Sequence, residues 1–185
     1  KEFQTHVMEL LDVSSPNRPG PYEGREDGSI FASAPSKGLN AFSHAFRVPG
    51  DQPVNGIRVQ FMPHEAEGSD EALLTPHPDG IPKVSAILVS AGEQPAKQVD
   101  IYRQLELIQA TASSSFLDPK GVLDERNLHW WQPEKKPGKQ HLTITFSEPV
   151  DPAKTPYLSV MIFFGQSNSM PYHWRIDAFS GNDTE

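Results

Sequence analysis

The chain of 185 residues contains no cysteine. Disulfide bonds, thiolate nucleophiles, zinc–thiolate sites, iron–sulfur clusters and haem attached through cysteine are therefore excluded within it. Basic residues are also scarce, because 16 Lys and Arg stand against 24 Asp and Glu and leave a formal net charge of −8. This balance repels phosphate backbones and anionic lipid surfaces, so we expect no nucleic acid as a partner.

Long apolar runs are missing as well. No window approaches the roughly 18 uninterrupted apolar residues of a spanning helix, so we expect no membrane insertion. Residues 1–5 contain no initiator methionine and no apolar stretch typical of a signal peptide. We therefore expect residues 1–185 to form a single module, processed or excised from a larger multidomain protein.

The motifs of common enzyme classes are absent too. The sequence has no GxSxG, HExxH, P-loop or GxGxxG pattern, and no two of its seven histidines are four residues apart. We therefore expect a noncatalytic protein. One stretch, 63–83, combines His64 and His77 with five acidic side chains, which are possible metal ligands. A solvated acidic loop is the simpler interpretation of that stretch.

Short alternating runs between prolines and glycines dominate the rest of the chain. The 18 prolines and 13 glycines are spread along its length and leave little room for long helices. Ile57, Val59 and Phe61 alternate with Arg58 and Gln60, as in a strand with one buried face. About nine strands are predicted, near residues 6–13, 29–33, 42–48, 55–62, 84–89, 104–110, 142–146, 157–165 and 172–178. This pattern predicts an all-β fold, an antiparallel β-sandwich or barrel.

Aromatic residues in the long polar connection 117–140 are the most informative side chains for function. Trp130 and Trp131 lie there beside Arg126. A sugar ring has apolar faces and polar edges, so exposed indoles next to hydrogen-bonding side chains are typical of a glycan-binding surface. All three are candidate ligand-binding residues; the alternative is that one tryptophan fills the end of the core.

A second candidate pair, Tyr172 and His173, comes just before the last predicted strand. The pair follows a Ser-Asn-Ser-Met-Pro turn, which puts both side chains near an end of the sandwich. We include both as candidate ligand contacts. The alternative is that they are ordinary residues of the rim.

Six segments occur in an order that matches a known family. They are residues 26–33 (EDGSIFAS), 44–61, 84–91, 110–115 (ATASSS), 121–131 and 174–179 (WRIDAF). In order and spacing they resemble the β-sandwich segment found inside planctomycete-type cytochrome-c multidomain proteins. The chain departs from that family at 67–83, which is acidic and lacks a Gly-Pro-Gly-Arg run, and at Asp124, where Glu rather than Gly follows.

The resemblance implies a galactose-binding-like (discoidin-type) jelly roll in an exported, periplasmic bacterial protein. In such jelly rolls an Asp-containing loop followed by a tryptophan lies by the ligand end. A structural calcium ion is common among them, and Asp124 is the candidate calcium ligand here. No other cofactor is expected in this segment.

Two functions follow as expectations. The first is a carbohydrate-binding module that stacks sugar rings on loop aromatics, with a polysaccharide or glycan as its partner. The second is a structural or protein-interaction module that docks neighbouring domains of the parent protein. An enzyme acting on polysaccharides is the least expected of the alternatives.

Overall fold

A computed structural model describes residues 3–16, 22–32, 40–64, 73–124, 129–166 and 168–181. Within them eleven strands form two antiparallel sheets packed face to face, which confirms the predicted all-β sandwich. The strands are β1 Gln4–Val7, β2 Glu9–Ser14, β3 Glu23–Gly24, β4 Ile30–Phe31, β5 Asn40–Arg47, β6 Val54–Met62, β7 Val84–Gly92, β8 Leu107–Ala112, β9 Gln140–Val150, β10 Tyr157–Phe164 and β11 His173–Ser180. A 3₁₀ turn covers Pro119–Leu123. Within the described ranges, no helix is long and apolar enough to cross a membrane.

The two sheets differ in size and share the core between them. The larger sheet has seven strands in the order β3-β4-β11-β6-β9-β8, and β1 pairs with the second half of β11. The smaller sheet has the order β2-β5-β10-β7. Because alternate residues of a strand point to opposite faces, each sheet contributes one apolar face to the core. Ile57, Val59 and Phe61 of β6 are all fully buried there, as the alternation predicted.

A buried histidine joins the two sheets across the core. Trp174 of β11 donates its Nε1 proton to His44 Nε2 over 3.0 Å, and His44 Nδ1 in turn donates to the carbonyl of Val160 over 3.0 Å. Burial lowers the pKa of His44 to about 4, although the bond to Val160 opposes the shift. The imidazole is therefore neutral at pH 7, with its proton on Nδ1.

The N-terminal region departs from the predicted strand at 6–13. It forms two strands in different sheets, β1 beside β11 and β2 beside β5. Met8, 2% exposed, lies between them, where the chain passes from one sheet to the other. Strand β3, which pairs with the predicted β4 in a short hairpin, is also additional, and the hairpin turn uses Gly28 at φ +82°, a conformation that favours glycine. These two differences account for eleven strands rather than nine.

Strand register sorts the connections into two ends of the sandwich. Phe164 pairs with Val84 and Met62 pairs with His173, so the described parts of the connections 63–83, 113–139 and 165–172 lie together at one end, the Tyr172 end. The connections 48–53, 93–106 and 151–156 lie at the other, the Tyr157 end. The described residues of 63–83 and of 117–140, the two stretches discussed in the sequence, therefore lie at the Tyr172 end.

Candidate functional site

Trp131 belongs to the core. It has no exposed surface, its ring centroid lies 5.9 Å from that of Phe61, and its Nε1 donates to the carbonyl of Ser114 over 3.1 Å. Its backbone also pairs with Val84 at the start of β7. A ring without accessible surface offers no face to a sugar. This corrects the expectation that Trp131 contacts a ligand and supports the alternative, in which one tryptophan fills the end of the core.

Trp130 keeps part of its surface accessible. It is half-buried, and its Nε1 donates to Gln132 Oε1 over 3.3 Å. The indole lies against Gly165, because a Cβ atom on that glycine would come within 2.8 Å of the ring. Trp130 thus covers the backbone that leaves β10, and it stays a candidate contact at the Tyr172 end.

Two other candidates give the site no further support. Arg126 lies outside the described residues. Asp124 is exposed and follows the 3₁₀ turn at Pro119–Leu123. The described part of the chain holds no group of three or more acidic or histidine side chains arranged to bind a metal. Structural calcium at Asp124 therefore stays a prediction, on which nothing below depends.

Tyr172 and His173 belong to a cluster of half-buried rings, here called the Tyr172 cluster. Its members are the rings of Phe31, His64, Tyr172 and His173, together with the Arg25 guanidinium beside them. The ring centroids of Phe31 and His64 are 4.8 Å apart, those of His64 and Tyr172 5.1 Å, and those of Phe31 and His173 6.2 Å. The Arg25 guanidinium lies 4.8 Å above the Phe31 ring. The cluster combines apolar ring surface with imidazole and guanidinium groups at one rim.

The β3–β4 hairpin sets the tautomer of His173. Ser29 Oγ donates to Asp27 Oδ1 over 2.5 Å, so it can only accept from His173 Nε2, which lies 2.7 Å away. Burial lowers the pKa of His173, and the positive charge of Arg25 adds to the effect. The ring is therefore neutral near pH 7, with a proton on Nε2 and an acceptor lone pair on Nδ1. Ser29 itself is completely buried, so this trio positions an imidazole and presents no nucleophile.

The backbone of Tyr172 is held from two directions. Its amide donates to the carbonyl of Leu74 over 3.1 Å, and its carbonyl accepts from the amide of Ala32 over 2.8 Å. One bond comes from the connection after β6 and the other from the end of β4. Such anchoring fixes the backbone from which the ring projects before any ligand arrives, which lowers the entropic cost of binding.

An ion-pair cluster stiffens the connection that supports Tyr172. Lys83, only 3% exposed, donates from Nζ to Asp79 Oδ2 over 2.6 Å, and His77 Nδ1 lies 2.7 Å from Asp79 Oδ1. Burial alone would raise the pKa of Asp79, but the bonds from Lys83 and from the Ile81 amide, with the Lys83 charge, outweigh it and the pKa is lowered. The Asp79 carboxylate is therefore already paired with the Lys83 ammonium group and with His77. The other acidic residues of 63–83 lie outside the described residues, so the metal interpretation of that stretch stays a prediction.

Sequence reasoning missed Phe31 and His64 as members of the cluster. Phe31 pairs with His173 across β4 and β11, and His64 follows the end of β6, which pairs with β11 on its other side. No local sequence pattern predicts that Phe31 and His173, 142 residues apart, lie side by side.

Comparison of the chain with protein-family models, with curated proteins and with solved structures finds no match in any of the three.

Proposed function

We propose that this protein is a noncatalytic glycan-binding module and that the Tyr172 cluster forms its binding surface. The observation that carries the proposal is the contact of four partly accessible rings beside a guanidinium at one rim of a rigid sandwich. Aromatic rings supply surface to the apolar faces of a pyranose, while Arg25 and the neutral imidazole of His173 supply a donor and an acceptor for hydroxyl groups.

The Tyr172 cluster is held in place before a ligand binds, which favours it as a binding surface. Tyr172 is fixed through both backbone groups, and His173 is fixed through Ser29. A bound sugar would therefore order few additional side chains. Trp130, half-buried beside Gly165 at the same end, is an additional candidate for an extended chain.

The test is a panel of neutral and sulfated polysaccharides, read by gel retardation and by isothermal titration. We expect saturable binding to at least one member and a loss of about tenfold in affinity for Tyr172→Ala, a change of about 1.4 kcal/mol. Tyr102→Ala is the matched control, because Tyr102 is 93% exposed at the opposite end. Silence across the panel, or the same loss in both variants, would sink the proposal.

A docking module for neighbouring domains of a cytochrome-c-type multidomain protein is the second candidate. It is favoured by exposed apolar side chains on and after β8, the last strand of the larger sheet: Ile108 is 55% exposed and Phe116 71%. Exposed apolar residues near a free strand edge are typical of interaction surfaces. Reduced binding of an apolar dye by Ile108→Ser/Phe116→Ser, together with no response to any glycan, would favour this function. The jelly-roll class and the periplasmic location stay predictions beside both proposals.

A further inference from the structure

A cavity of about 260 Å³ lies at the Tyr157 end, far from the Tyr172 cluster. It lies between the outer face of the smaller sheet and the connection that follows β7, and it is partly open to solvent. Its lining residues are Ser90, Ala91, Gly92, Gln94, Pro95, Ala96, Asp100, Arg103, Tyr157 and Ser159. None of them belongs to the surface proposed above.

The cavity exists because a glycine faces a tyrosine. Gly92, the last residue of β7, pairs in register with Tyr157, the first residue of β10. Directly opposed residues share one face of a sheet, so the tyrosine ring has no cross-strand side chain beside it on the β7 side. A Cβ atom on Gly92 would lie 3.4 Å from the carbonyl oxygen of Gln94 and 3.7 Å from Arg103 Nη1, both ordinary contacts. The space therefore reflects a missing side chain rather than strained backbone.

Hydrogen bonds fix the connection over this space. Ser159 Oγ donates to the carbonyl of Ala96 over 2.5 Å, and the amide of Asp100 donates to Ser90 Oγ over 3.0 Å. Both serines are buried on the sheet beneath the cavity. The cavity is thus built into the fold, as small-molecule sites are.

The lining has the chemistry of a saccharide site without net charge. Arg103 Nε and Asp100 Oδ2 are 3.9 Å apart, which balances their charges but is too long for a hydrogen bond. The guanidinium therefore keeps donors, and that carboxylate oxygen keeps acceptor capacity, toward a polyhydroxylated ligand. The Tyr157 ring adds an apolar face, with Arg47 stacked on it at 5.5 Å. Because positive and negative groups are paired, nothing in the lining favours an anion over a neutral sugar.

We propose that this cavity binds one neutral pyranose unit, as a second saccharide site at the Tyr157 end. Its volume is smaller than the roughly 300–1,000 Å³ of sites for drug-sized ligands, so it suits a single ring rather than an oligosaccharide. The ligand class rests on the proposed function, but the residues are independent of the Tyr172 cluster. With both sites, one module would hold two points of a glycan or two separate chains, which raises avidity.

The test is a titration of the ¹⁵N-labelled chain with the methyl glycosides of glucose, galactose and mannose, followed by amide NMR. At least one sugar should shift the amides of Gly92, Asp100 and Arg103 saturably. Gly92→Val fills the space. Asp100→Asn removes the charge while keeping an oxygen for the Tyr102 amide. Each variant should lower the affinity obtained from these shifts by about tenfold. Lys97→Ala, a change at an exposed side chain of the same connection, should leave them unchanged.

Two results would overturn the inference: no saturable shift at these amides with any of the three sugars, or unchanged affinity in a folded Asp100→Asn variant. Tyr172→Ala separates this inference from the proposed function. If the shifts at Gly92 persist while Tyr172→Ala changes the affinity for no glycan of the panel, the Tyr172 surface fails and the cavity stands. The reverse pattern removes the cavity alone.

Discussion

At the Tyr172 end, two strands and two connections bring four partly accessible rings into contact, whereas at the Tyr157 end one connection folds over the sheet and borders a cavity. The larger sheet carries the rings, and the smaller sheet carries the cavity. The contrast teaches that the apolar content of a loop does not reveal its exposure: Trp131 in one connection is fully buried, while Tyr102 in another is 93% exposed. Exposure depends on whether a connection crosses the open end of the core or lies outside it.

Removing the buried tryptophan tests the Tyr172 end most severely. Trp131→Ala leaves a large cavity beside Phe61 and removes the indole donor to the carbonyl of Ser114. It should therefore lower the free energy of unfolding by about 3–5 kcal/mol. Trp130→Ala, at the adjacent half-buried indole, should cost less than about 1.5 kcal/mol. Urea unfolding followed by circular dichroism compares the two. Equal losses would mean that both rings are core residues and that Trp130 is unavailable to a ligand.

The sequence predicts the strands of this sandwich better than the contacts at its two ends. Alternation identified β6 correctly, because Ile57, Val59 and Phe61 carry the period of a half-buried strand. The same signal merged β1 with β2, since a crossing at Met8 leaves the apolar periodicity intact. Neither end was predictable in detail. Gly92 meets Tyr157 through long-range register, which local pattern does not encode.

Acid should weaken the core that both ends share. The pKa of His44 is about 4 in the folded chain against 6.5 as its ordinary value, so the unfolded state binds more protons between these values. Stability should therefore be fully present above pH 6.5 and fall by about 3 kcal/mol as the pH drops to 4. The lowered pKa of His173 acts in the same direction, whereas burial raises the pKa of Asp177, which acts in the opposite one.

The variant His44→Gln isolates that contribution, because an amide retains a donor and an acceptor for Val160 and Trp174 but does not titrate. Urea midpoints measured every half unit from pH 7 to 4 should give a flatter profile for the variant than for the wild type. His173→Gln, at the Tyr172 end, is the matched control and should flatten the profile much less. Identical slopes in wild type and His44→Gln would show that the buried imidazole is not the group titrating.

The smallest expected effect concerns coupling between the ends. Tyr157 begins β10 and Tyr172 follows the end of that eight-residue strand, which spans about 26 Å. Residues this far apart without shared partners contribute independently, so the stability losses of Tyr157→Ala and Tyr172→Ala should add to within about 0.5 kcal/mol in the double variant. A double-mutant cycle by urea unfolding measures the difference. A coupling above about 1 kcal/mol would mean that the sandwich transmits strain between its ends, and glycan binding at one end would then alter affinity at the other.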